Sequence, residues 1–280
     1  MPTADRDGSG ATGVVVSAPA KLTRSLRIVG RRPDGYHLLV AEMVTVDLYD
    51  ELEFSDGVGC EVVDAVDWLE PLPLSPAASE AQQPLSGNAP NLVELALAVV
   101  GRPTSVRLTK RIPAGAGLGG GSADAAAVLR WAGVAEVAVA ARLGADVPFC
   151  LIGGRALVSG IGEIVEPQPD EMADFLLVAP RLHVSTPAVY AAWDSLDEPV
   201  GELDNDLEPA ALVVEPRLAW WRDLVADVSG RSPRLAGSGG TWWLGGDRVE
   251  LEALQLAVSA AVVAADESAL VKCVRAVPAS

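Results

Sequence analysis

Residues 110–127 read Lys-Arg-Ile-Pro-Ala-Gly-Ala-Gly-Leu-Gly-Gly-Gly-Ser-Ala-Asp-Ala-Ala-Ala, and no other stretch restricts the fold so tightly. Five glycines between positions 115 and 121 let the backbone take positive φ and bring N–H groups against an anion with no Cβ in the way. Upstream, residues 105–110 alternate apolar and polar side chains, the period of a half-buried strand, which Pro113 ends. Downstream, residues 123–132 favour helix and stop at Gly133, with Ser122 opening the helix. A glycine loop between strand and helix places free N–H donors and the positive end of the helix dipole at its tip, where phosphate is stabilised. Pro113, Ala114, Gly115, Ala116, Gly117, Leu118, Gly119, Gly120, Gly121 and Ser122 are therefore the candidate phosphate-binding residues. This is not a Walker loop, because no Gly-Lys-Ser/Thr follows. The charged strand before it also fits a dinucleotide fold poorly, since that fold uses a buried apolar strand there.

With 280 residues, half of them apolar, the chain can bury one large core or two modest ones. Cys60, Cys150 and Cys273 lack metal-ligand spacing and read as reduced thiols of a cytoplasmic protein. The most apolar stretch, residues 254–265, is too short to span a membrane, and the polar residues 1–13 read as a disordered tail. A net charge of −17 argues against nucleic-acid or anionic-membrane partners. Bases nevertheless gather near the motifs: Lys21, Arg24, Arg27, Arg31 and Arg32 stand against Asp34 alone, and Arg102, Arg107, Lys110 and Arg111 against no acid. These stretches are expected to supply local positive charge, while the acids of 163–174 and 194–208 form a solvated face.

Patterning places strands at 13–17, 26–29, 42–48, 50–54 and 105–110 and a variable loop at 69–87. Asn91 caps a helix to residue 100, and further helices cover 122–132 and 134–143. Later come strands near 155–159, 175–179 and 241–244 and helices near 187–193, 216–228 and 250–264, giving a mixed α+β chain. Gly153-Gly154 offers the best domain boundary, dividing 14–154 from 155–280.

Residues 113–127 resemble the second motif of the GHMP kinase superfamily, and the form Gly-Ala-Gly-Leu-Gly-Gly-Gly-Ser-x-Asp-Ala-Ala is similar to the branch acting on a cytidine-diphosphate-linked methylerythritol. Further matches are Ala18-Pro19-Ala20-Lys21, Arg32-Pro33-Asp34-Gly35-Tyr36-His37, Asn91-Leu92-Val93, Leu143-Gly144-Ala145-Asp146-Val147-Pro148-Phe149, Asn205-Asp206-Leu207-Glu208 and Gly237-Ser238-Gly239-Gly240-Thr241. Their order and spacing agree over residues 14–277. The resemblance implies a two-domain architecture, with an N-terminal domain like ribosomal protein S5 domain 2 and a ferredoxin-like C-terminal domain. It implies ATP and Mg²⁺ as cofactors and a small-molecule substrate, CDP-methylerythritol, phosphorylated at its 2-hydroxyl by a monomer or homodimer.

The same resemblance assigns Asp146 as base and Lys21 as its partner, Asn91 to the nucleotide, and Ser122 to the β-phosphate or Mg²⁺. Tyr36 and His37 are assigned to cytosine, Tyr190 to the opposite face of a base sandwich, and Thr186 and Thr23 to the acceptor. Without the resemblance, a structural ion pair joining the first strand to a helix-to-strand turn is the simpler reading of Lys21 and Asp146. A lone Tyr-His pair is more often core and cap than ligand site, and the 237–241 glycines equally suit a tight hairpin. His183 has no motif support. Thr23 and Arg24 depart from the usual Asn and apolar residue, so another acceptor within the superfamily stays open. A nucleotide-binding homologue without catalysis and a glycine-loop oxidoreductase stay open as well.

Overall fold

The computed structural model of the protein describes residues 13–70, 91–197, 199–201 and 203–279. The expected tail at 1–13, apart from Gly13, and most of the loop at 69–87 lie outside the described residues. Two long antiparallel strands, β1 (Val14–Arg31) and β2 (His37–Ser55), form the frame. They replace the four short strands expected from patterning, because the apparent breaks are register shifts at Pro19/Lys21, Thr23/Ser25 and Ile28/Gly30 rather than strand ends. One extra residue at such a bulge bends the strand and turns a side chain without ending the pairing.

Next along the chain come β3 (Gly59–Asp64), α1 (Leu92–Val100), β4 (Ser105–Lys110), α2 (Gly120–Ala132), α3 (Val137–Leu143) and α4 (Val147–Ile152), followed by β5 (Arg155–Gly160) and β6 (Ile164–Gln168). The first sheet runs β3-β4-β2-β5-β6, with β1 on the other side of β2. Strand β4 pairs with the distal half of β2 and β5 with its proximal half. A division after Gly154 would cut this sheet, since β5 and β6 complete it. Helix α4 was not expected: Val-Pro-Phe-Cys-Leu-Ile is a short apolar run that reads as strand as easily as helix. Asp146 thus stands in a helix-to-helix turn rather than a helix-to-strand turn.

The second half contains β7 (Asp174–Pro180), α5 (Thr186–Ser195), α6 (Glu208–Val214), α7 (Arg217–Ser229), β8 (Arg234–Leu235), β9 (Trp242–Gly246), α8 (Arg248–Ala264) and β10 (Ala269–Arg275). Its antiparallel sheet has the order β10-β7-β9-β8, the ferredoxin-like arrangement of a βαββαβ chain with extra helices. The two-domain GHMP architecture expected from the sequence is the one observed.

Helix α2 positions the site. Ala123, Ala125, Ala126 and Ala127 are fully buried, so the helix sits close to the first sheet. Trp131 at its far end stacks on Phe54, with ring centroids 4.4 Å apart. Phe149 of α4 is also fully buried, which stabilises the fold by about 1.5–3 kcal/mol. Across the halves, the Leu26 N–H donates to Asp204 O at 2.8 Å and the Asp206 N–H to Leu26 O at 3.0 Å. These bonds fix the C-terminal half beside β1.

Candidate active site

The bulge between Pro19 and Lys21 frees the Lys21 N–H from the ladder, and it donates instead to Leu118 O in the glycine loop at 3.0 Å. The Lys21 side chain is buried, donates from Nζ to Thr23 Oγ1 at 3.0 Å, and lies 3.3 Å from Asp146 Oδ2. Asp146 immediately precedes α4 and remains about a third exposed (32%), so a carboxylate backed by the buried Lys21 side chain faces the cleft.

The glycine loop reaches this pair from the other side. Gly119 (φ +69°) precedes the first turn of α2, and a Cβ there would lie 2.7 Å from Lys21 Cγ. Gly117 (φ +78°) packs against the 237–240 turn, where a Cβ would fall 2.6 Å from Ala236 O and closer still to Gly239 O. Thr241 Oγ1 donates to Ala116 O at 2.7 Å, so the second glycine turn buttresses the loop and is more than a hairpin. Ser122 is not the helix cap: it is the third residue of α2, and no side chain caps that helix. The Ser122 hydroxyl makes no hydrogen bond to a described residue, which leaves it and the first-turn N–H groups free for phosphate oxygens.

The basic stretches behave differently from expectation. Arg24 pairs with Glu42 and Glu171, Arg27 with Asp204 and Asp206, Arg31 with Asp194, Arg32 with Asp34, and Arg111 with Glu51. Arg102 covers the Trp131 ring. Most of these arginines are thus engaged by acids, several of them distant in sequence. Arg24 faces the groove beside Phe175 and does not line the cleft.

Lys110 has a role that the sequence did not reveal. Its buried ammonium bridges Asp50 and Asp124, with Nζ 2.7 Å from Asp124 Oδ2. Asp50 Oδ1 also accepts the N–H groups of Arg111 (2.5 Å) and Ile112 (2.8 Å). The trio pins β2, the end of β4 and α2 around the glycine loop. Two buried carboxylates share one ammonium, and Asp124 Oδ1 finds no partner. Burial pushes the Asp124 carboxyl up to about 7, against the pull of Lys110 and with the help of the Asp50 charge.

A carboxyl raised above its unfolded value of about 3.9 holds a proton in the native state that the unfolded chain has released. Its stabilising contribution is complete below about pH 4 and is lost as pH rises through 7. Asp124→Asn, a neutral isostere, is expected to flatten this loss. Thermal denaturation at pH 6 and pH 8 should show a smaller Tm drop in the variant than in the parent, at roughly 2–4 °C per kcal/mol. An equal drop in both proteins would place the titration elsewhere.

At the far end of the cleft, His37 is boxed by α5. Tyr190 stacks on its ring (4.9 Å, 26°), Trp193 meets it edge-on (5.4 Å), and Asp194 Oδ1 lies 2.7 Å from Nε2. Tyr190 thus lies against His37, and Tyr36 is exposed (61%) without a ring contact among the described residues. In the expected sandwich a bound base lies between Tyr36 and Tyr190, both of which line the cleft. Burial, with the Asp146 charge adding to it, pushes the Tyr190 phenol up to about 12. Tyr190 therefore stays neutral and able to donate.

Thr186 opens α5 behind the cap Ser185, and its hydroxyl is 2.8 Å from Ser238 Oγ. Asn91 caps α1 through Val93 N at 3.0 Å. His183 flanks the loop so closely that a Cβ on Gly115 would lie 3.2 Å from its Cε1. Thr23 is buried and bonded to Lys21.

Lys21, Thr23, Tyr36, His37, Asn91, residues 113–122, Asp146, Thr186 and Tyr190 all line one cleft of about 1820 Å³. A phosphate loop, a carboxylate–ammonium pair and an aromatic end in one open cavity suit transfer between a nucleotide and a small molecule. The family model for the GHMP kinases N terminal domain matches residues 91–154. The 4-diphosphocytidyl-2-C-methyl-D-erythritol kinase of Paramagnetospirillum magneticum is 36% identical over 268 residues, covering 82% of this chain and 88% of that protein. The chain belongs to the 4-diphosphocytidyl-2-C-methyl-D-erythritol kinase family.

A crystal structure of a 4-(cytidine 5'-diphospho)-2C-methyl-D-erythritol kinase superposes with TM-score 0.67 at 28% identity, over 93% of this chain and 99% of that one. Homoserine kinase from Cytophaga hutchinsonii shares the fold, with TM-score 0.58 at 17% identity over 99% and 98% of the two chains. This member of the family is accordingly a GHMP kinase, a phosphotransferase that uses ATP and acts on a small molecule. Among the described residues no helix is long and apolar enough to cross a membrane.

Proposed function

We propose that this kinase transfers the γ-phosphoryl group of ATP to the 2-hydroxyl of 4-diphosphocytidyl-2-C-methyl-D-erythritol, within isoprenoid-precursor synthesis in the cytoplasm. The observation that carries the reading is the 3.3 Å approach of Lys21 to Asp146 across the mouth of the glycine loop. The relatives' names supply the acceptor, and the aromatic end of the cleft suits its pyrimidine.

The N–H groups of the loop and of the first α2 turn hold phosphate oxygens, and their fixed dipoles stabilise charge as it moves toward the bridging oxygen. Asp146 accepts the proton of the attacking hydroxyl, while Lys21 keeps it oriented and compensates its charge. Thr23 steadies the ammonium by accepting its hydrogen bond. With no covalent enzyme intermediate, both substrates must be bound together, and the single cleft has room for both.

Ser122 would be this chain's own contact to Mg²⁺, which would supply neutralisation of the ATP phosphate charge. Among the described residues no cluster of three or more His, Cys, Asp or Glu could hold a metal alone. Among the described residues of the loop Ser122 alone offers a free hydroxyl, so the donor set suits an ion carried mainly by the nucleotide.

An ADP-release assay with the cytidine compound, homoserine, mevalonate and a hexose tests the reading. Turnover of the cytidine compound alone is expected. Turnover of one of the others in its place would reassign the acceptor, and ATP binding without turnover of any would mark a homologue that has lost catalysis.

A further inference from the structure

Helix α5 carries an unexplained carboxylate. Tyr190, Trp193 and Asp194 stand at positions i, i+3 and i+4, the spacing that puts side chains on one helical face. All three touch His37: a stacked ring, a ring edge, and Asp194 Oδ1 at 2.7 Å from Nε2. Packing alone would need only the two rings. Asp194 is also tied from the other side, with Arg31 Nη2 3.3 Å from its Oδ2. The guanidinium holds the carboxylate in place and offsets its charge.

A carboxylate only accepts hydrogen bonds, so a neutral imidazole facing it must carry its proton on Nε2. The other nitrogen, Nδ1, is then a bare lone pair on a ring that lines the cleft, and it bonds to no described residue. Cytosine presents an amino group at C4, a hydrogen-bond donor, where uracil presents a carbonyl, an acceptor. An Nδ1 lone pair attracts the first and repels the second. The opposite tautomer would reverse that preference.

We propose that Asp194 is a positioning residue that fixes the His37 tautomer and so sets the choice of cytidine over uridine diphosphate substrates. The inference rests on the reading of the cleft given above, in which His37 meets the pyrimidine. Its effect travels through the His37 ring, which it meets at Nε2.

Two measurements at pH 8, above the ordinary imidazole range, test it. The chain has only two histidines, His37 and His183, so long-range ¹⁵N–¹H correlation resolves both, with His37→Gln assigning the signals. The parent is expected to show the proton on Nε2 of His37, and Asp194→Ala a mixture of tautomers. A parent protonated at Nδ1 overturns the inference.

In turnover assays with the cytidine compound and its uridine counterpart, the parent should prefer cytidine by about 10–100-fold in kcat/KM. Asp194→Ala should shrink that ratio to below about threefold through KM, with kcat retained. Asp194→Asn, whose amide can turn its oxygen to Arg31 and its NH₂ to Nε2, should not restore it, and Asp194→Glu, which keeps an accepting carboxylate, should restore most of it. A merely structural role would weaken both substrates alike and leave the ratio unchanged, which would also overturn the inference. Failure of the parent on both compounds is a different result: it removes the proposed acceptor, and this inference with it.

Discussion

Asp146→Asn is expected to lower kcat by about 10²–10⁴-fold while leaving ATP affinity within a factor of about three. The amide has the shape of the carboxylate but cannot take a proton from the acceptor hydroxyl. It also withdraws the charge facing Lys21, whose ammonium keeps its bond to Thr23 Oγ1 at 3.0 Å and so stays oriented. The phosphate loop is untouched, because Asp146 bonds to none of its residues. Single-turnover rates with both substrates saturating measure the loss directly, and nucleotide titration measures what is kept. A kcat within about threefold of the parent would make the Lys21–Asp146 contact a structural ion pair and nothing more.

Gly117→Ala should be the most damaging single methyl group in the loop. At φ +78° an L side chain is strained, and its Cβ would meet the carbonyl oxygens of Gly239 and Ala236, backbone atoms that cannot swing aside. Strain and overpacking together cost about 2–4 kcal/mol, so Tm should fall by roughly 5–15 °C and ATP affinity with it. Gly121→Ala is the control: this glycine lies in the first turn of α2, and the nearest atom to a new Cβ is Leu92 Cδ1 at 3.6 Å, an ordinary contact. That variant should match the parent in Tm or exceed it slightly. Equal damage from both would mean that the loop does not depend on the glycine turn behind it.

What could be read from the sequence was local. The 105–110 alternation, the Asn91 cap and the stop at Gly133 each follow from a few adjacent residues, and each stands where the sequence puts it. The features that escaped depend on partners far along the chain. The bulges that merge four strands into two are fixed by cross-strand pairing, and β5 joins β2 across a glycine pair that resembled a boundary.

The site divides the same way. The motif residues do gather in one cleft, but the Asp50–Lys110–Asp124 trio joins positions 60 and 14 residues apart, and Asp194 meets His37 across 157 residues. Lys110 and Arg31 read as free positive charge in the sequence, whereas folding gives each an acid partner. Arg24, which raised the prospect of a changed acceptor, points into a separate groove.

The ³¹P spectrum of a turnover mixture tests the central claim most directly, because it reports which hydroxyl received the group. Carbon 2 of a 2-C-methyl tetritol bears no hydrogen, so a phosphomonoester there has no three-bond proton coupling. The account predicts one new unsplit monoester resonance growing in step with ADP, beside an intact cytidine diphosphate pair. A monoester split by neighbouring protons, or ADP formed with no monoester at all, would contradict it.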